Sequence, residues 1–228
     1  IGSRTASAFS VGDTIIRAIA TTKPWSLALV GDDAGRLIVI NPTDGTTAEA
    51  GTATSSVYSI SLATSPDRIL TAERDGSVCE WQLTGHMDQL GPGASVRAKR
   101  LRVVHRHSAA AFSVRHDSLQ KRYVSGGADG KIRVTEIGTG KQTARQLTDG
   151  TIFPLCIAAN RILLVAGDNH GTLWLVTGSV RPKKLQGHTD TVRTAHLSPA
   201  GDWLVSGSKD GTVRLWHVAS GRVWILLQ

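Results

Sequence analysis

The chain of 228 residues is short of what would make it a disulfide-built scaffold or a membrane protein. It has two cysteines, Cys79 and Cys156, each inside an apolar run, so neither a disulfide framework nor a metal-ligand spacing is present. That pattern leads us to expect a reducing, intracellular setting, cytoplasmic or nuclear. No apolar stretch reaches the length of a membrane span, and the longest, near Ile157, is broken by Asn160 and Arg161. Aromatics make up 5% and charged residues 19%, yet 40% of the chain is hydrophobic, which excludes a disordered tail. Acidic residues are the minority, 18 against 26 Lys and Arg, for a formal charge of +8. Between Gln89 and His116 there is none. The first residue is Ile1 and the one methionine is Met87, which reads as a piece of a longer protein, with no signal-peptide pattern at its start.

What the chain does have is repetition. A glycine closes a polar turn at Gly35, Gly76, Gly130, Gly171 and Gly211, at separations of 41, 54, 41 and 40 residues. Nineteen residues before each begins an apolar pattern, as in Val57, Ile60 and Leu62 or Ile152, Leu155 and Ile157. Two after each glycine stands an aliphatic: Leu37, Val78, Ile132, Leu173, Val213. Four before it stands a small residue: Gly31, Ala72, Gly126, Gly167, Gly207. The runs are short and rich in Val, Ile and Leu with turn residues between, so each unit reads as four strands. Four-stranded sheets repeating at this interval bury their faces by stacking radially, which predicts an all-β propeller. The expected blades are about 13–52, 53–106 with an insertion near 84–97, 107–147, 148–185 and 186–228. Residues 4–11, with Phe9, read as one strand of a further blade, so the whole is expected to be one domain of a larger, roughly seven-bladed ring.

The stretch "GHTDTV…LSPAGDWLVSGSKDGTVRLW", residues 187–216, resembles the WD-repeat β-propeller family. The resemblance implies a structural tetrad of His188, Ser206, Asp210 and Trp216 in the last blade. The other units share spacing and keep fewer signature residues. The third keeps His107, Ser125 and Asp129 but has Thr135 in the Trp place. The second keeps Thr71, Asp75 and Trp81 but has Ala53 in the His place. The first and fourth carry Ala34 and His170 for the turn Asp, and Gly85-His86 falls too soon after Trp81 to serve as the family pair.

Two regions are candidates for binding. In a propeller the axial strands run in one direction, so the residue after each pattern start forms a ring at one mouth of the channel. That ring is Arg17, Tyr58, Phe112, Phe153 and Arg193, residue types enriched at binding hot spots. The plainer reading packs the two phenylalanines between blades. The second region is basic: Arg97, Lys99, Arg100, Arg102, Arg106 and Arg115 suit phosphates, and equally suit an edge strand that discourages pairing. No aromatic lies within 97–107 to stack on bases.

Catalytic patterns fail. "GGADGK" at 126–131 and "GTGKQT" at 138–143 lack the phosphate-loop spacing. His105 and His107 have no third ligand, Asp32-Asp33 and Asp168-Asn169 suit turns, and Cys156 suits a buried position. The sequence therefore reads as a non-catalytic scaffold for protein partners in a multi-subunit assembly, with no cofactor, metal or small-molecule substrate. The alternatives are an RNA- or DNA-associated subunit using the basic segment, or the sensor or targeting part of a multidomain protein.

Overall fold

A computed structural model describes residues 13–21, 27–42, 45–65, 67–85, 96–160, 162–178 and 180–227. Phe9 and the strand expected at 4–11 lie outside the described residues, as does His86.

The described residues are all-β and form five four-stranded antiparallel sheets, each a meander whose strands neighbour one another in chain order. The first sheet holds β1 (Ile16–Thr21), β2 (Ala28–Asp32), β3 (Arg36–Ile40) and β4 (Thr47–Thr52). The second holds β5 (Val57–Leu62), β6 (Arg68–Glu73), β7 (Ser77–Thr84) and β8 (Arg97–Arg106). The third comprises β9 (Ala111–Asp117), β10 (Arg122–Gly127), β11 (Lys131–Glu136) and β12 (Gln142–Gln146). In the fourth are β13 (Ile152–Ile157), β14 (Leu164–Asp168), β15 (Leu173–Val176) and β16 (Lys183–Leu185). The fifth has β17 (Val192–Leu197), β18 (Trp203–Ser208), β19 (Val213–His217) and β20 (Val223–Leu227).

The repeated glycine closes the turn between second and third strands. Its N–H reaches back three residues, as from Gly76 to the Glu73 carbonyl at 3.1 Å, and its φ is positive, +87° there. That conformation strains any residue with a Cβ.

No sheet has a core of its own. Apolar side chains gather in four clusters, each between neighbouring sheets. Leu29 and Val39 meet Val57 and Ile60, and Leu70 and Val78 meet Ala111 and Val114. Val124 and Ile132 meet Ile152 and Leu155, and Val165 and Leu173 meet Val192, Leu204 and Trp216. Because side chains alternate along a strand, each inner sheet feeds one cluster from each face.

The first strands pack side by side as an arc, β1 on β5, β5 on β9, β9 on β13, β13 on β17. The small residue four before the turn glycine makes the approach possible. A Cβ at Gly31 would lie 2.6 Å from Val57 Cγ1, one at Gly126 2.6 Å from Ile152 Cγ2, and one at Gly167 2.8 Å from Val192 Cγ1. At Gly207 the only near neighbour is Thr194 of the same sheet. Around it the fifth sheet leaves Trp203, Val205 and Trp224 exposed, while on β1 Ile16 and Ile19 are exposed where their counterparts Val57 and Ile60 are buried.

Candidate functional site

All five first strands share one irregularity. Their pairing with the second strand slips between Ile16 and Ala18, Val57 and Ser59, Ala111 and Ser113, Ile152 and Leu155, and Val192 and Thr194. A bulge of this kind leaves a residue outside the ladder and re-aims its side chain. The residues so released are Arg17, Tyr58, Phe112, Phe153 with Pro154, and Arg193, which include the five expected at the mouth.

The structure brings those five together as a continuous stack. The Tyr58 and Phe112 rings have centroids 4.9 Å apart, and Phe112 and Phe153 follow at 4.8 Å. Arg17 caps one end, 5.8 Å from the Tyr58 centroid, and Arg193 caps the other, 4.6 Å from that of Phe153. Guanidinium over an aromatic face is favourable, and so is ring on ring in offset or tilted geometry. The three rings are half-buried and both arginines are exposed. The ring faces are taken up by one another and by the two arginines. An incoming group therefore meets ring edges, which carry positive potential, together with guanidinium N–H groups. The phenylalanines do span neighbouring sheets, and the same packing presents their edges.

One step along the arc, Arg115 of β9 donates from Nη1 to the Val114 carbonyl at 2.8 Å and to Ser59 Oγ at 3.3 Å. Burial depresses its pKa, and no carboxylate pairs with it among the described residues. The one acid on the first strands, Asp117, is held by Arg122 Nε at 2.8 Å.

A second constellation lies in the fifth sheet. Trp216 Nε1 donates to Ser206 Oγ at 2.8 Å, Ser206 lies 2.7 Å from His188 Nε2, and His188 Nδ1 lies 2.8 Å from Asp210 Oδ2. Burial lowers the His188 pKa against the opposing pull of Asp210, so the ring is neutral at pH 7. Burial works to raise the Asp210 pKa, but hydrogen bonds from Thr212, His188 and Thr189 outweigh it and hold the carboxyl below its usual range. Hydroxyl, imidazole and carboxylate in this order resemble a nucleophile, base and orienting group. Here Ser206 is fully buried and its hydroxyl already serves the indole, so no substrate carbonyl can reach it.

Residues 179–217, which carry these four side chains, match the family model described as WD domain, G-beta repeat. This segment is a WD repeat. Among curated proteins, the chain is 60% identical over 37 residues to the ribosome biogenesis protein BOP1 of Rattus norvegicus, covering 16% of this chain and 5% of that protein. It is 54% identical over 37 residues to the ribosome biogenesis protein ERB1 of Scheffersomyces stipitis, with the same shares of 16% and 5%. A BOP1 homolog of Drosophila erecta is 38% identical over 79 residues, 30% of this chain and 10% of the relative. The chain thus spans a tenth or less of the relatives it matches.

Outside the WD repeat of the fifth sheet, the other sheets hold versions of its network, built from the expected partial sets together with members that the sequence reading does not reach. In the third, His107 Nδ1 meets Asp129 Oδ1 and His107 Nε2 meets Ser125 Oγ, each at 2.7 Å. Where the WD repeat has tryptophan, Thr135 bonds His105 Nδ1 at 2.7 Å, and His105 Nε2 bonds the same Ser125 Oγ at 2.6 Å. Asp129 only accepts, so the proton order runs from Thr135 through His105, Ser125 and His107 to Asp129. Both imidazoles are spent on this chain, and the described residues show no group of three metal-ligating side chains. In the second sheet Trp81 donates to Thr71 at 2.9 Å, and Thr71 donates to Glu73 at 2.7 Å. Asp75 accepts from the Ser77 backbone N–H at 2.9 Å and from Thr54 Oγ1 at 3.2 Å, a hydroxyl that also reaches Glu73 at 3.0 Å. In the first and fourth sheets a buried aspartate stands at the position of Glu73. Asp32 accepts from Arg36 Nε at 2.7 Å and Asp168 from Trp174 Nε1 at 2.8 Å. The signal was an acid three residues before the turn glycine in the three units that depart furthest from the WD repeat.

The basic segment forms β8, the outermost strand of the second sheet, and its charges divide. Arg102 Nε pairs with Glu80 at 2.8 Å, and Arg106 Nη1 reaches Asp75 at 3.4 Å and Ser77 Oγ at 2.6 Å. Arg97, Lys99 and Arg100 are exposed with no ion pair among the described residues. Cys79 and Cys156 are buried free thiols, each pushed up to about 12 by desolvation, which removes them as nucleophiles.

Proposed function

We propose that the chain is a non-catalytic, protein-binding scaffold that works in a multi-subunit assembly, and that the arc from Arg17 to Arg193 is its docking face. The observation that carries this is the stack itself. Five residues far apart in sequence meet in one continuous, half-exposed surface of the residue types that dominate binding energy. The names of the relatives support ribosome assembly as the setting and, with it, a site of action inside the cell, in the nucleus. Affinity purification of the tagged chain should recover ribosome-assembly proteins. The double variant Tyr58→Ala, Arg193→Ala should lose them with an unchanged melting temperature; equal recovery would overturn the reading.

A second reading, RNA contact through β8, is favoured by the unpaired Arg97, Lys99 and Arg100. Replacing all three with Gln should weaken binding of a single-stranded RNA and flatten its salt dependence by about two charges. No binding even at low salt removes this reading.

We further propose that residues 1–228 form one propeller domain with the blade limits given above, its arc open at the first and fifth sheets toward further blades. Gly167→Val should then cost about 1–3 kcal/mol by overpacking a filled joint. Gly207→Val, facing no second sheet, should cost much less in the chain as it stands; equal costs would argue for a fifth joint already closed.

A further inference from the structure

The wall of first strands that carries the arc is cationic and uncompensated. The five first strands carry three arginines, Arg17, Arg115 and Arg193, and one acid, Asp117, which Arg122 already holds. None of the three arginines has a carboxylate partner among the described residues. Arg115 is the telling one, because a half-buried guanidinium is costly unless an anion or several hydrogen bonds compensate it. Its two contacts are a neutral carbonyl and a hydroxyl. One sheet further on, Ser113 occupies the place that Ser59 holds beside Arg115, and its Oγ is buried without any hydrogen-bond partner. Ser113 follows Phe112 directly in the chain, so its unmet hydroxyl belongs to the residue immediately behind the stack.

We propose that this wall receives an acidic, extended segment of a protein partner, with one carboxylate against Arg115 and flanking carboxylates against Arg17 and Arg193. The inference rests on the arc being the docking face and adds the chemistry of what docks. Carboxylates fit on three counts. Arginine pairs them in bidentate fashion, exposed ring edges are electropositive toward oxygen, and Ser113 supplies a free donor. Nucleic acid fits less well, because the ring faces on which bases would stack are already covered by neighbouring rings and guanidiniums.

The test uses the whole chain and a fluorescein-labelled ten-residue peptide of alternating Asp and Leu, read by anisotropy. Its controls are the same peptide with Asn for Asp and a ten-nucleotide oligouridylate. We expect the acidic peptide to bind at least about tenfold more tightly than the Asn peptide. Arg115→Met should remove that difference while leaving the melting temperature equal or higher, since an unpaired, half-buried charge has gone. A purely structural Arg115 would instead lower the melting temperature. That outcome, indifference of the peptide to Asp against Asn, or oligouridylate binding that Arg115→Met abolishes, each overturns the proposal. If Tyr58→Ala, Arg193→Ala still loses natural partners while the acidic peptide fails to bind, the docking face stands and only the acidic chemistry falls.

Discussion

The second and fifth sheets answer one demand with different atoms. In both, a buried indole N–H donates to a hydroxyl on the second strand, from Trp81 to Thr71 and from Trp216 to Ser206. Beyond the hydroxyl they part. The fifth sheet continues into His188, which comes from the segment before its first strand, and ends on Asp210. The second ends at once on Glu73, which stands where the fifth has Ser208. What the sheet requires, then, is a buried acceptor that closes the relay, since an indole and a hydroxyl left with an unmet partner are costly. An imidazole is one way to supply it. The third sheet shows the converse, keeping imidazole and carboxylate and replacing the indole by the His105–Thr135 pair.

The sharpest test compares the indole with its replacement. Trp216 is fully buried and fills the joint between fourth and fifth sheets, so Trp216→Ala should cost about 3–5 kcal/mol in urea unfolding. At the equivalent place Thr135→Ala removes one hydroxyl and should cost about 1 kcal/mol. Similar losses at the two positions would mean that the indole is valued for its hydrogen bond alone. Next in size is Glu73→Leu, which keeps the bulk but leaves the hydroxyl of Thr71 without its acceptor. We expect a loss of about 2 kcal/mol. An unchanged or more stable variant would break the comparison, because the second sheet would then need no relay.

The division between what was legible in the sequence and what was not follows the same line. Gly35, Gly76, Gly130, Gly171 and Gly211 with their flanking aliphatics could be read because a turn requiring positive φ and an alternating strand impose local, fixed spacings. The five mouth residues shared an offset, and the bulge that frees them recurs at that offset. That Arg17 and Arg193 close the stack could not be read, because it depends on the arc's curvature. Glu73, Asp32, Asp168 and His105 were passed over as tetrad members because each fills a vacancy from a different position than the one vacated. His105 even acts from the neighbouring sheet. Compensation of this sort is fixed by proximity in space, and one sequence carries no spacing rule for it. Sequence proximity groups Arg115 with the basic segment, whereas the fold sets it on β9, one of the first strands that form the arc.

The smallest expected effect concerns pH and sets the third sheet against the second. Burial pushes His105 down to about 3 and lowers His107 also, with Asp129 pulling the other way on the latter. His105 is neutral in the folded chain near pH 6, while in the unfolded chain an imidazole takes up its proton near pH 6.5. The unfolded state therefore binds more protons, and the contribution of these groups is present above pH 6.5 and is lost as pH falls below it, down toward the folded pKa. The relay of the second sheet, from Trp81 through Thr71 to Glu73, contains no imidazole. His188 and His116 are lowered by burial too and add to it. Unfolding free energies at pH 6.5 and 5.5 should therefore drop in the wild type, and His105→Gln should reduce that drop by about 1 kcal/mol, the value of one proton over one pH unit. Trp81→Phe, which alters the relay of the second sheet without touching an ionisable group, should leave the drop unchanged. If His105→Gln left it unchanged as well, the ring would be protonated in the folded chain, and the proton order from Thr135 to Asp129 would have to run otherwise.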